Sequence, residues 1–122
     1  MRVQMGSSRN LGILGEETAL SFLSRLGYHL LERNYRCRLG EIDLIMQDGS
    51  VLVFIEVKAR RSALYGKPQE AVGAAKQARI RRLAEHYLLC KGNGDYGIRF
   101  DVVAVSFKKS GNYSIDHFIN AF

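Results

Sequence analysis

Residues 40–58 read GEIDLIMQDGSVLVFIEVK, two short apolar runs on either side of Asp48-Gly49, and that pattern commits this part of the chain to a β-hairpin. Glu41 to Met46 and Val51 to Val57 are rich in Ile, Val, Leu and Phe, which suit a pleated, half-buried backbone. With Asp48 and Gly49 as a two-residue loop, Gln47 faces Ser50, Ile45 faces Leu52, Asp43 faces Phe54 and Glu41 faces Glu56. Side chains alternate along a strand, so Asp43, Glu56 and Lys58 emerge on one face of the sheet. The other face carries Ile42, Leu44, Met46, Val51, Val53, Ile55 and Val57, an apolar surface that the rest of the fold must cover. A three-residue loop would shift the pairing by one and send Asp43 to the wrong face.

On the polar face this register puts Glu41 across from Glu56 and Asp43 diagonal to it, so up to three carboxylates crowd one end of the hairpin and repel one another. A divalent cation beside Lys58 would offset that repulsion. Hard cations such as Mg²⁺ take oxygen ligands, commonly one or two carboxylates with water and phosphate completing the shell. Lys58, roughly 6 to 7 Å along the strand from Glu56, would orient an attacking water or stabilise charge on a phosphoryl group. The plain alternative is a solvated sheet edge. Against it, Glu56 and Lys58 follow five consecutive apolar residues and so sit at the end of a central strand.

A chain of 122 residues is expected to form one domain with its own core. Cys37 and Cys90 show no C-x-x-C spacing and His29, His86 and His117 are scattered, which argues against zinc. Both cysteines read as buried, reduced thiols of a cytoplasmic protein. No segment resembles a signal peptide or reaches bilayer-spanning length, so a soluble protein is expected. The formal net charge of +6 is unevenly spread. Lys58, Arg60, Arg61, Lys67, Lys76, Arg79, Arg81 and Arg82 face one acid, Glu70, giving that segment +7 and the remainder −1. A basic segment that begins at the end of the candidate strand points to a polyphosphate partner, nucleic acid before an acidic membrane, although a basic helix face also serves as solvated surface.

Elsewhere, residues 1–10 read as loose and Leu11 to Leu26 as an amphipathic helix closed by Gly27, with Ala19, Leu20, Leu23 and Leu26 on its buried face. Glu16 shares that stripe, either as a helix N-terminal acid or as a site residue, whereas Glu17 points away. A strand follows from Tyr28 to about Cys37. Lys58 to Lys67 reads as a basic loop ending at Pro68, and Val72, Lys76, Ile80, Leu83, Ala84, Tyr87 and Leu88 predict a long helix to about Cys90, before a Gly92-Asn93-Gly94 turn. Arg79, Arg82 and His86 share its exposed side. Ile98 to Phe107 and Tyr113 to Phe118 read as the last strands. Asp101 within the first of these either pairs with a core arginine or supports the site from behind, and the structural role is favoured.

The order is helix, three strands, helix, two strands, with Asp in the second strand and Glu-x-Lys in the third. It resembles the PD-(D/E)XK nuclease superfamily. Gly15-Glu16, Gly40-Glu41-Ile42-Asp43-Leu44-Ile45, Phe54-Ile55-Glu56-Val57-Lys58, the Pro68 loop, Lys76 to Ile80 and Arg99-Phe100-Asp101-Val102-Val103 together resemble the YraN-like family of small bacterial proteins, from about Asn10 onwards. The resemblance implies an α/β, restriction-endonuclease-like fold: a central mixed sheet flanked by helices around an αβββαβ core. It implies Asp43 and Glu56 as ligands of Mg²⁺ or Mn²⁺, the carbonyl of Val57 as a further ligand, Lys58 as catalytic lysine, and Glu16 as the extra acid of Holliday-junction-resolvase-like members. Lys76 and Gln77 fall on the helix that meets substrate in many members. Arg60, Arg61, Lys67, Arg79 and Arg82 complete the expected nucleic-acid contacts. Ile42 stands where the motif name has proline, a position that is no ligand. The implied activity is hydrolysis of phosphodiester bonds in nucleic acid, DNA recognised by its structure. The alternatives are a non-catalytic binding module on the same fold and, further off, a basic scaffold for another protein. Sequence leaves open whether the protein is a monomer or a homodimer.

Overall fold

The computed structural model describes residues 8–61, 72–91 and 95–122. In chain order the elements are α1 (Ser8–Arg25), β1 (His29–Cys37), β2 (Gly40–Asp48), β3 (Val51–Arg60), α2 (Ala74–Lys91), β4 (Gly97–Phe107) and β5 (Tyr113–Phe118). The five strands form one sheet in the order β1-β2-β3-β4-β5. Only β3 and β4 run parallel. A hairpin cannot join parallel neighbours, so the chain crosses over through α2 between them. This is the expected mixed α/β sheet with flanking helices and the αβββαβ core.

α1 begins at Ser8, inside the stretch expected to be loose, and stops where Gly27 takes a left-handed φ of 98°. Tyr28 N–H donates to the Leu23 carbonyl and Gly27 N–H to that of Ser24, the paired bonds of a Schellman cap. Leu26, expected on the buried stripe, is 55% exposed because the cap turns it outward.

The helices cover opposite faces of the sheet. Ala19 and Leu23 of α1 bury Leu44, Met46, Val53, Ile55, Val103 and Val105, while Ile80, Leu83, Ala84 and Tyr87 of α2 bury Ile42, Ile45, Leu52, Phe54 and Phe100. The face expected to be polar is therefore apolar along most of its length and opens only at the end holding Glu56 and Lys58. Both cysteines are free, but Cys90 is exposed and Cys37 half-buried, since Cys90 falls on the outer side of α2. Among the described residues no helix is long and apolar enough to cross a membrane.

The hairpin closes one position later than expected. Asp48 pairs with Val51 and Ile45 with Phe54, so Gly49 and Ser50 form the loop. Gly49 has φ 62°, and neither Asp48 nor Ser50 has a positive φ. A single positive φ at the first central position is the pattern of a type II′ turn, whereas the expected Asp-Gly loop would have forced Asp48 left-handed. The register moves by two residues, and an even shift keeps the paired side chains Leu44 to Gln47 on their expected faces, whereas Ile42, expected beside Leu44, ends in the α2 cluster.

Candidate functional site

Paired β2 and β3 residues end at Leu44 and Ile55. One residue further, the Asp43 carboxylate accepts the N–H of Val57 at 2.8 Å, taking the place of a strand carbonyl. Continued by one step, the register sets Asp43 level with Glu56 instead of diagonal to it. Glu41, expected opposite Glu56, is exposed and bonds Arg36 at 2.8 Å.

The bend at Asp43 has a counterpart in β1. Arg33 pairs with Leu44 and Tyr35 with Ile42, but Asn34, between them, takes a left-handed φ of 53°. Alternation reverses in both strands at this point. Arg33 lies 4.0 Å from Glu16 and 3.9 Å from Glu17 on the α1 side, while Tyr35 packs edge-on against Tyr87 of α2. Likewise Leu44 joins the α1 cluster and Ile42 the α2 cluster. Asp43 thus sits at a kink shared by two strands, turned along the sheet toward β3. Asn34 gave no signal in the sequence beyond the tolerance of asparagine for this conformation, yet its side chain bonds Glu16.

Glu16 reaches the site because Gly15 lets α1 descend onto β3. A Cβ at Gly15 would lie 2.5 Å from the Cβ of Ala59. Burial raises the Glu16 pKa against the Asn34 bond and the Arg33 charge, which lower it, and the charges of Glu41 and Glu56 add to the rise. Glu16 thus acts on Glu56 and Asp43 through its charge from the α1 side.

Asp43 and Glu56 share a hydrogen bond between their carboxyl groups. Burial first, and then the Glu56 charge, push the Asp43 pKa up to about 8, with the Val57 amide acting in the other direction. Two carboxylates this close do not both ionise readily without a cation. α2, which covers this face, brings a cation to the pair: Lys76 Nζ lies 3.1 Å from Glu56 Oε1. Lys58 is the neighbour of Lys76, and the two positive charges act on each other. Burial and then the Lys76 ammonium lower the pKa of Lys58. Burial also opposes charge on Lys76, but the Glu56 carboxylate, with Asp43 behind it, outweighs burial and holds Lys76 above its usual value.

Thus Asp43, Glu56, Lys58 and Lys76 converge, and Glu16 acts on the acidic pair only through its charge. Lys58 enters from within β3, which runs on through Arg60 where a loop had been expected. The remaining expected contacts lie around this centre. Arg60 is half-buried with Nε 3.5 Å from Ser106 Oγ, and Arg61, Arg79 and Arg82 are exposed. Gln77 gives its side-chain N–H to the Val72 carbonyl at 2.9 Å, which ties it to the chain entering α2 and away from the acidic pair. Lys67 and the Pro68 turn lie outside the described residues, as does the Gly92-Asn93-Gly94 turn. Sequence reasoning missed Arg33 and Asn34 and placed Lys76 only on a substrate-facing helix, because its partner stands 20 residues away.

Among the described residues no three or more His, Cys, Asp or Glu side chains are grouped closely enough to cage a metal ion. The donor set suits a hard cation that keeps part of its water shell: two carboxylates and one carbonyl. The N–H and C=O of one strand residue point to the same side, so the Val57 carbonyl is directed, like its N–H, toward Asp43.

The fold and this cluster define an α/β protein with an acid-and-lysine centre at the open end of a mixed sheet. Residues 15–105 match the family model described as "Uncharacterised protein family UPF0102". A UPF0102 protein of Syntrophus aciditrophicus is 51% identical over 91% of this chain and 87% of its own length. One from Geobacter sulfurreducens is 46% identical over 100% of this chain and 97% of its own, and one from Symbiobacterium thermophilum 51% over 94% and 98%. The chain belongs to the UPF0102 family, the YraN-like family that its motifs resemble.

Proposed function

We propose that the protein is a Mg²⁺- or Mn²⁺-dependent phosphodiesterase of nucleic acid, with structured DNA as its substrate class. The observation that carries this reading is the Asp43–Glu56 pair, two carboxylates pressed together at the end of a central strand beside Lys58. A pure binding module gains nothing from placing clustered acids beside a phosphate path. Asp43, Glu56 and the Val57 carbonyl would hold the cation. When bound, it supplies polarisation of the phosphoryl group and activation of water.

The chain's own residues do the rest. Lys58, its pKa lowered by burial, is placed to orient water beside the acidic pair. Glu16 closes the site from α1, with Arg33 and Asn34 holding its carboxylate. Arg61, Arg79 and Arg82 offer charge to the phosphate backbone outside.

The test is purified protein with single-stranded, duplex, flap and junction DNA and with RNA, in Mg²⁺, in Mn²⁺ and in EDTA. Junction or flap cleavage that needs the metal, and that Asp43→Asn and Glu56→Gln abolish without unfolding the protein, is the expected result. Binding without cleavage of any substrate in either metal would replace the enzyme with a binding module.

A further inference from the structure

We propose that Lys76 is a built-in counter-cation: it holds Glu56 while the site lacks metal, and passes to the substrate phosphate when a divalent cation takes its place. This inference rests on the metal site proposed above and goes beyond it by linking metal loading to substrate binding.

The geometry carries it. Glu56 belongs to β3, and its side chain is 10% exposed. Of the two ammonium groups beside it, Lys58 is carried by the same strand, whereas Lys76 reaches across from α2 to stand 3.1 Å from Oε1. A cation bound through that oxygen cannot share it with an ammonium at this distance, and a doubly charged ion beside both lysines would repel each of them. Lys76 is the one able to leave. It is 34% exposed and attached through a four-carbon stem to a helix at the rim. Three residues on, Arg79 is exposed on the adjoining helix surface, so a released Lys76 joins a phosphate-facing cation. In the metal-free protein, meanwhile, Lys76 limits the repulsion between Asp43 and Glu56 and keeps the pair together. Metal and nucleic acid would then strengthen each other's binding, and by linkage the two effects are equal.

Lys76→Met tests this in the absence of any turnover. Mn²⁺ affinity, read by electron paramagnetic resonance without nucleic acid, should tighten about tenfold, because the competitor is gone. Arg79→Met removes the same charge without touching Glu56 and should change it less than about twofold. The Lys76 ammonium resonance, assigned by its loss in the variant, should shift on adding Mg²⁺. Ca²⁺ should enhance binding of duplex DNA by the parent, and this enhancement should largely vanish in Lys76→Met. Equal Mn²⁺ affinity in the Lys76 variant and the parent, or a resonance that ignores Mg²⁺, would overturn the exchange while leaving the metal site standing. A parent protein that binds no Mn²⁺ would remove the metal site and the exchange together.

Discussion

A cation at the proposed site would have to displace the proton that burial and Glu56 favour on Asp43, which gives the site a definite pH dependence. The Asp43 carboxyl titrates near 8 in the folded protein, against an ordinary value of 3.8. The folded state therefore binds more protons than the unfolded chain between these values. The stabilisation is fully present below about pH 4 and is lost as pH rises through about 8. Metal-free protein melted in a series of buffers should fall in Tm across this window, and Asp43→Asn should flatten the fall. Mn²⁺ affinity should run the other way, rising by up to roughly tenfold per pH unit until Asp43 is ionised. A flat affinity from pH 6 to 9 would mean that Asp43 is no ligand. Lys58→Met keeps the apolar stem and removes the charge. It should depress single-turnover cleavage far more than equilibrium DNA binding in Ca²⁺, whereas a mere phosphate contact would lose affinity and keep its rate.

At the scale of elements, the site depends on how closely α1 approaches β3. Gly15→Ala brings a Cβ to within 2.5 Å of the Ala59 Cβ, a clash that demands movement of backbone-attached atoms. Overpacking of this kind costs about 1 to 3 kcal/mol, against about 1 kcal/mol gained from replacing a helical glycine. Net destabilisation is expected in urea unfolding, with weakened Mn²⁺ binding as Glu16 moves away. Ala59→Gly added to Gly15→Ala should restore both, and failure of that rescue would show that the close approach is irrelevant. α2 presents the opposite kind of surface. Its inner side, Ile80, Leu83, Ala84 and Tyr87, is buried, while Arg79 and Arg82 are exposed. Replacing both arginines should weaken DNA binding for all sequences alike and lower the salt slope by roughly 0.9 for every duplex phosphate that is no longer neutralised. An unchanged slope would identify this face as solvated surface. Arg81, between them, lies 5.0 Å from the Phe100 ring and 5.7 Å from that of Phe122, which gives it a packing role instead.

Across the whole molecule, one buried network ties together parts that the site does not touch. Asp101 is fully buried and accepts from Arg99 Nε at 2.9 Å and Nη2 at 3.0 Å, and from the Asn120 N–H at 3.0 Å. His117 Nε2 lies 2.8 Å from Asp101 Oδ2. Arg99 continues to Tyr28, just beyond α1, at 2.6 Å and to Asp48 at the hairpin end at 3.3 Å. Burial alone would raise the Asp101 pKa, but the bonds to His117, Arg99 and Asn120 outweigh it and hold it below the usual value. This bears out the structural role read from the sequence. Removing one partner of a buried pair costs about 3 to 5 kcal/mol. Asp101→Asn should therefore lower the urea midpoint sharply and leave the Mn²⁺ affinity of the folded protein unchanged. A change in metal affinity at constant stability would place Asp101 in the site after all.

Local spacing was enough to place the helices and strands, the stop at Gly27, and the company of Asp43, Glu56 and Lys58, because each depends on side-chain periods and turn residues a few positions apart. The even register shift shows how robust that reading is: the loop moved by one residue and the paired side chains from Leu44 to Gln47 kept their faces, while Ile42 changed face at the kink. Tertiary structure alone decided the rest. The left-handed Asn34 and the kink at Asp43 arise where two strands must turn together, and neither residue type demands this by itself. The covering of both sheet faces followed from where the crossover helix lands. Lys76 meets Glu56 for the same reason, since α2 brings its ammonium to a carboxylate 20 residues back. Charges interact through distance in space, and sequence spacing fixes that distance only within an element.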